Sequence, residues 1–140
     1  MMSVEDLNRL GAGRFPAHVG LVFTHAAADE IRAEVSIRAE LMAPNGYLHA
    51  GVVVTLADTC CGYGCRFHLP QGASGFTTVE LKSNHLATAL EGAIECVARP
   101  LHTGRTTQVW DAVVSSRQSG RTIALFRCTQ LILYPRPPGQ

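Results

Sequence analysis

The sequence predicts an α+β domain: one long antiparallel sheet of about six strands wrapped around a single buried helix. Three observations carry this prediction. The stretch "EIRAEVSIRAEL" alternates strictly, with Ile31, Ala33, Val35, Ile37, Ala39 and Leu41 facing one way and charged or polar residues the other, the pattern of a strand with one dry face. The stretch Ala50 to Cys65 is 16 residues of small and apolar side chains, too long for an ordinary strand and apolar almost all round, so it reads as a buried helix. Four further strand-like segments then follow, joined by short turns, which favours antiparallel pairing.

The elements follow in chain order. "SVED" at Ser3 resembles a helix cap, so a short helix is expected over roughly Ser3 to Leu10. "HVGLVFTHA" reads as a strand paired through the turn "AADE" with the alternating segment. The central helix contains Val52, Val53 and Val54, poor helix formers, so packing must hold it. Gly62 and Gly64 near its end allow another backbone to approach closely. The last four strands are "GFTTVELKSNHL", "EGAIECVARPL", "GRTTQVWDAVVSS" and "RTIALFRCTQLILY", with "RQSG" as a hairpin turn. The 140 residues make one domain, with residues 1–14 as an N-terminal helix or arm and residues 135–140 as a flexible, proline-rich tail.

Composition excludes several classes. Twelve basic residues nearly balance 11 acidic ones, and no basic block suggests nucleic acid or an anionic membrane. No apolar run reaches the roughly 18 residues of a membrane span. The polar, acidic start "MMSVEDLNRLGAGRF" does not read as a signal peptide, which suggests a cytoplasmic protein. Five cysteines are an odd number without scaffold-like spacing, and read as buried free thiols. No histidine joins them at zinc-ligand spacing, so no metal is expected. There is no nucleophile elbow, and "GAG" at Gly11 to Gly13 follows no strand.

The stretch "PNGYLHAGVVVTLADTCCGYGC" carries one carboxylate, Asp58, among small and apolar residues. An unpaired buried charge is costly, so this group must be neutralised or used. The residues "NGYLHAGVVVTLADTCCGYG" resemble the helix-start motif of hotdog-fold thioesterases, in particular the phenylacetate-degradation and 4-hydroxybenzoyl-CoA thioesterase branch. Gly46, His49, Gly51, Leu56, Ala57 and Asp58 keep the family spacing, and the order of strands also fits. The sequence departs from the pattern at two positions. Ala50 replaces the first glycine of a pair. The amide side chain usually found six residues before the histidine is absent at Ala43, and Asn45 stands only four before it.

The resemblance implies an acyl-CoA thioesterase that needs no cofactor. The first N–H groups of a helix lack intrahelical partners and favour negative charge, so Ala50 and Gly51 fit an oxyanion hole. Asp58 would attack the thioester carbonyl or take a proton from water. It lies eight residues beyond Ala50, about 12 Å along a helix axis. One carbonyl cannot touch both groups of one chain. A two-fold dimer with antiparallel central helices would bring the helix start of one subunit to Asp58 of the other; the family further implies pairing of dimers into a homotetramer.

Other residues have two readings each. His49 either orients the thioester or caps the helix. Thr78, or its neighbour Thr77, either holds the carboxylate or attacking water or is an ordinary strand threonine. His68, Asn84 and His85 line an acyl pocket or solvate loop ends, and Phe67 contacts the acyl group or fills core. Lys82, Arg99, Arg105 and Arg121 are candidates for coenzyme A phosphates. Trp110 reads as core or interface. Two other functions keep the same fold: a non-catalytic acyl-CoA-binding module, which the missing amide at position 43 favours, and a dehydratase, for which no convincing histidine motif is present.

Overall fold

A computed structural model describes all residues, 1–140. Six antiparallel strands form one sheet: β1 (Leu21–Ala27), β2 (Glu30–Ser36), β3 (Gly75–His85), β4 (Ala93–Thr103), β5 (Thr107–Ser116) and β6 (Thr122–Leu133). Their spatial order is β1-β2-β4-β5-β6-β3. Helix α3 (Ala50–Arg66) packs across the inner face, against β2, β3, β4, β5 and β6. The expected single helix within a six-stranded sheet is therefore present. The core is the layer between them, with Leu56, Ala57, Cys60 and Cys61 from the helix meeting Ile31, Val35, Ile94, Trp110 and Val114 from the sheet.

The expected short N-terminal helix is present, and a second helix follows it. Helix α1 (Val4–Gly11) starts with a full capping box: Ser3 Oγ accepts from the Asp6 N–H while Asp6 Oδ2 accepts from the Ser3 N–H. It is docked against β1. Leu7 is fully buried, and Asn8 Oδ1 accepts from the Phe23 N–H of β1. A second helix, α2 (Phe15–Val19), takes His18 and Val19 out of the expected first strand. Pro16 in its first turn and Gly20 at its end are ordinary helix boundaries.

Strand β2 also ends early, at Ser36 rather than Leu41. Ile37 still donates its N–H to the Gly92 carbonyl. Beyond it Arg38 turns away and donates to the backbone carbonyls of His18 and Val19. A 3₁₀ turn, Ala39–Leu41, then leads toward the helix. The alternating residues outrun the strand because side-chain bonds to α2 replace the sheet ladder there.

The two sheet edges differ. Helices α1 and α2 lie against β1. Strand β3 pairs only with β6, and its other edge is bare over 11 residues. On the inner face its side chains sit opposite buried β6 residues, yet α3 covers them incompletely. Leu81, opposite the fully buried Cys128, is 42% exposed.

Candidate functional site

The site is built on α3 and the strand that follows it. The chain enters α3 through the turn at Asn45–Gly46, where Asn45 Oδ1 accepts from the Tyr47 N–H. Asn45 is exposed, and this bond turns its side-chain oxygen back into its own loop. Ala43 contributes only backbone to the same turn, donating its N–H to the Tyr47 carbonyl.

His49 is the N-cap of α3, and its Nδ1 accepts from the Gly51 N–H at 2.8 Å. A neutral imidazole that accepts at Nδ1 carries its proton on Nε2, so His49 presents an Nε2–H donor. The cap depends on Gly51 lacking a side chain, because a Cβ there would lie 2.9 Å from His49 Nδ1. The Ala50 N–H finds no acceptor within the chain, whereas the Gly51 N–H is already engaged. Two clefts flank this helix start. One, of about 200 Å³, is lined by Tyr47, Leu48, Ala50, His85 and Ile123 among others. The other, of about 410 Å³, is lined by His49, Gly51, Val52, Thr55 and Arg38 among others.

Asp58 lies two turns further along α3 and borders neither cleft. It is half-buried, and its Oδ1 sits 3.0 Å from Thr78 Oγ1. Burial pushes its carboxyl above the ordinary aspartate value, and the Thr78 hydroxyl pulls it part of the way back. No cation in the subunit compensates it. The carboxylate is therefore a stronger base than a surface aspartate, held by one hydroxyl.

Thr78 reaches Asp58 because of a bulge in β3. Thr78 pairs with Gln130 and Glu80 with Thr129, leaving Val79 as an extra residue. Phe76 and Thr78 are inward before the bulge, and Leu81, Ser83 and His85 lie opposite the inward residues Cys128, Phe126 and Ala124 after it. Thr77 pairs with Leu131 on the outer face, away from Asp58.

The remaining candidates scatter. His68 contacts the Ala28 carbonyl through Nε2 and the Trp110 ring, so it braces a loop. Phe67 caps the end of α3 and packs on the core. Asn84 is exposed on the outer face opposite Leu125, whereas His85 borders the smaller cleft beside Ala50. Arg99 is paired with Glu30; Lys82, Arg105 and Arg121 are exposed and make no ion pair. Trp110 is fully buried in the core. All five cysteines are free and buried, and no three His, Cys, Asp or Glu side chains cluster as a metal ion requires. No helix is long and apolar enough to cross a membrane.

Two residues near the site escape a reading by motif. Gln108 and Gln130 are fully buried, and Gln130 Oε1 lies 3.0 Å from Thr78 Oγ1. The available signal is phase. Gln130 falls in step with Phe126, Cys128 and Ile132, the inward positions of β6, where an apolar residue is the norm.

The chain matches the family model of the thioesterase superfamily over residues 45–123, from the turn before α3 to the start of β6. Over 135 residues it is 30% identical to the 1,4-dihydroxy-2-naphthoyl-CoA hydrolase of Escherichia coli K12, covering 94% of this chain and 96% of that one. Among solved structures, a thioesterase from Haemophilus influenzae superposes with a TM-score of 0.90 at 25% identity, over 100% of this chain and 96% of that chain. A mutant form of a thioesterase from Pseudomonas aeruginosa gives 0.89 at 26% identity over 95% of each. The chain belongs to the thioesterase superfamily. It has the hotdog fold of these relatives, and its activity is that of a thioester hydrolase.

Proposed function

We propose that the protein is an acyl-CoA thioesterase whose active site is shared between two subunits. Asp58 of one subunit supplies the nucleophile or general base, and the start of α3 in the other supplies the oxyanion hole. The reaction is R–CO–S–CoA plus water to the free acid and coenzyme A thiol. As nucleophile, Asp58 forms an acyl anhydride that water then opens. As base, it takes the proton of the water that attacks. In both routes the carbonyl oxygen gains negative charge and needs donors. Removing one such donor typically costs about 3–4 kcal/mol in the barrier.

The observation that carries this reading is the uncompensated Asp58 carboxyl on Thr78, with its basicity raised by burial. The free Ala50 N–H is the first oxyanion donor, and the Nε2–H of His49 is the second group aimed outward from the helix start. Separation supports a shared site: eight residues of helix set Ala50 and Asp58 about 12 Å apart, and Asp58 borders no cleft of its own subunit. The bare edge of β3, with Leu81 uncovered on the inner face, suits pairing with a second copy. The coenzyme A ester is suggested by the Escherichia coli relative's name, which also makes an aromatic acyl group the first to test.

A second reading is a hotdog module that binds acyl-CoA without cleaving it. It is favoured by Ala43, which lacks an amide side chain, and by Asn45, which is engaged in its own turn. A free-thiol assay over aromatic and medium-chain acyl-CoA esters separates the two. The first predicts turnover that falls by about 10²–10⁴ in Asp58→Asn; binding without thiol release selects the second. A folded Asp58→Asn protein with undiminished hydrolysis removes Asp58 from the mechanism.

A further inference from the structure

Behind Thr78 lies a row of polar side chains that the thioesterase chemistry does not by itself require. Thr78 of β3, Gln130 of β6 and Gln108 of β5 are direct cross-strand partners in sequence. The two glutamines are fully buried, where an amide is costly unless both its ends are bonded. Gln108 has structural work that accounts for it. Its Oε1 accepts from the Trp110 indole, and its Nε2 donates to the backbone carbonyls of His68 and Cys65 at the end of α3. Gln130 braces no backbone. Its partners are the Thr78 hydroxyl, 3.0 Å away, and the Cys128 thiol, 3.4 Å away.

Counting protons gives the pair a direction. Thr78 Oγ1 lies 3.0 Å from Asp58 Oδ1 and 3.0 Å from Gln130 Oε1, but a hydroxyl has one proton. When Asp58 is protonated every contact is satisfied as oriented: Asp58 donates to Thr78, Thr78 to Gln130 Oε1, and Gln130 Nε2 to Cys128 Sγ. When Asp58 is ionised, Thr78 must donate to the carboxylate, and Gln130 Oε1 then faces an oxygen with no proton between them. A half-turn of the amide, which exchanges oxygen and nitrogen without changing its shape, removes that conflict. Nε2 then donates to Thr78, Thr78 to Asp58, and the Cys128 S–H to Oε1.

We propose that Gln130 is a positioning residue for hydrolysis: its amide sets the direction of the Thr78 hydroxyl and so holds Asp58 as an oriented carboxylate. This rests on the reading of Asp58 as the reacting group. The Cys61 thiol on α3 is held protonated by burial beside Cys128, and no charged side chain of the subunit acts on Asp58. The chain of hydrogen bonds from Cys128 to Asp58 is thus the route by which the sheet addresses the carboxyl.

The test is a double-mutant cycle with Gln130→Met and Thr78→Val, both close to the original shape. Each single variant is expected to lower kcat about tenfold, the value of one hydrogen bond to a charged group, with KM within about twofold. Thr78→Val also moves the acid limb of the kcat–pH profile to higher pH, because the hydroxyl that lowers the Asp58 carboxyl is lost. In the Thr78→Val background, Gln130→Met should add less than about twofold, since Gln130 acts through that hydroxyl. Full additivity, or wild-type kcat in folded Gln130→Met, overturns the proposal. If Gln130→Met does not fold, the wild-type protein decides by NMR. The Gln130 side-chain NH₂ resonances should titrate with the Asp58 carboxyl and stop doing so in Asp58→Asn; NH₂ signals indifferent to that titration sink it. The amide titration reads the hydrogen-bond chain without turnover. An active Asp58→Asn enzyme would therefore fail the catalytic reading alone, and a silent amide the positioning alone.

Discussion

The closeness of α3 to the sheet can be tested at Gly64. A Cβ built there would lie 2.5 Å from Trp110 Cη2, 2.6 Å from Cζ3 and 3.1 Å from Ile31 Cγ1. Carbon atoms prefer about 3.5–4.0 Å, so the helix or the indole must move by about 1 Å. The indole is poorly placed to yield: Trp110 is fully buried, and its N–H is tied to Gln108, itself tied to the end of α3. Two effects oppose each other in Gly64→Ala. Helix propensity favours alanine by about 1 kcal/mol, whereas overpacking costs typically about 1–3 kcal/mol. With the worst contact on a rigid, buried ring, the clash should win, for a net loss of about 1–2 kcal/mol. Gly62→Ala is the control. Its nearest contact is 3.1 Å, to the edge of the half-buried Phe76 ring, which has room to shift. That variant should be close to neutral. Urea unfolding of both variants, at fixed protein concentration and with unchanged m-values, reads the difference. Because moving α3 off the sheet also draws Asp58 from Thr78, kcat should fall in Gly64→Ala alone. A Gly64→Ala protein as stable as wild type would mean that the helix does not pack this tightly on Trp110.

Three other outcomes follow. Asp58 titrates higher in the folded chain than in the unfolded one, so the native state binds its proton more tightly. Its contribution to stability is therefore present at low pH and lost as pH rises from about 3.8, the ordinary aspartate value, through its raised folded value. The stability of wild type minus that of Asp58→Asn should decline across that window and then level; a flat or rising difference contradicts the burial argument. Leu81→Lys on the bare edge of β3 should yield monomers by light scattering and remove hydrolysis; monomers that retain full activity would exclude a shared site. A thiol reagent such as DTNB should leave the five buried cysteines unmodified in the native protein and titrate all of them in denaturant, whereas rapid native labelling would place at least one at the surface.

The fold was legible because its signals are long. The strict alternation from Ile31 to Val35 and the all-round apolar run from Ala50 identify strand and helix by period alone. The errors lie where local bonds compete with the period. Alternation continues past Ser36, but Arg38 is drawn to the carbonyls of α2, so the strand stops. The choice between Thr77 and Thr78, left open by the length of the loop before β3, turns on a bulge. Counting by twos back from Leu81 puts Thr77 on the inner face, and the extra residue Val79 reverses that parity. A bulge has no reliable signature in one sequence, although here it reconciles two demands. It turns Thr78 inward while leaving Glu80 and Lys82 on the outer face. The carboxylate, by contrast, was conspicuous as a lone charge in an apolar helix, and the glutamines behind it were visible only once strand phase was known.

The same helix is the reason for proposing a site shared between two chains. Its first turn carries the unpaired Ala50 N–H beside the engaged Gly51, its middle carries Asp58, and its last turns are clamped by Gly64 on Trp110 and by Gln108 on the carbonyls of Cys65 and His68. A rigid α-helix fixes the distance between its own residues, so no rotamer brings Asp58 to its own N-terminus. Clamping the last turns fixes the helix on the sheet and so holds Asp58, at its middle, against Thr78. In the proposed dimer, a two-fold partner laid antiparallel along the bare edge of β3 would offer each carboxylate the donors of another helix start, held by a rod of the same length. On this arrangement the geometry of catalysis is set by one interface parameter, the offset between two copies of α3. Substitutions at the β3 edge should accordingly change kcat more than they change the stability of the subunit.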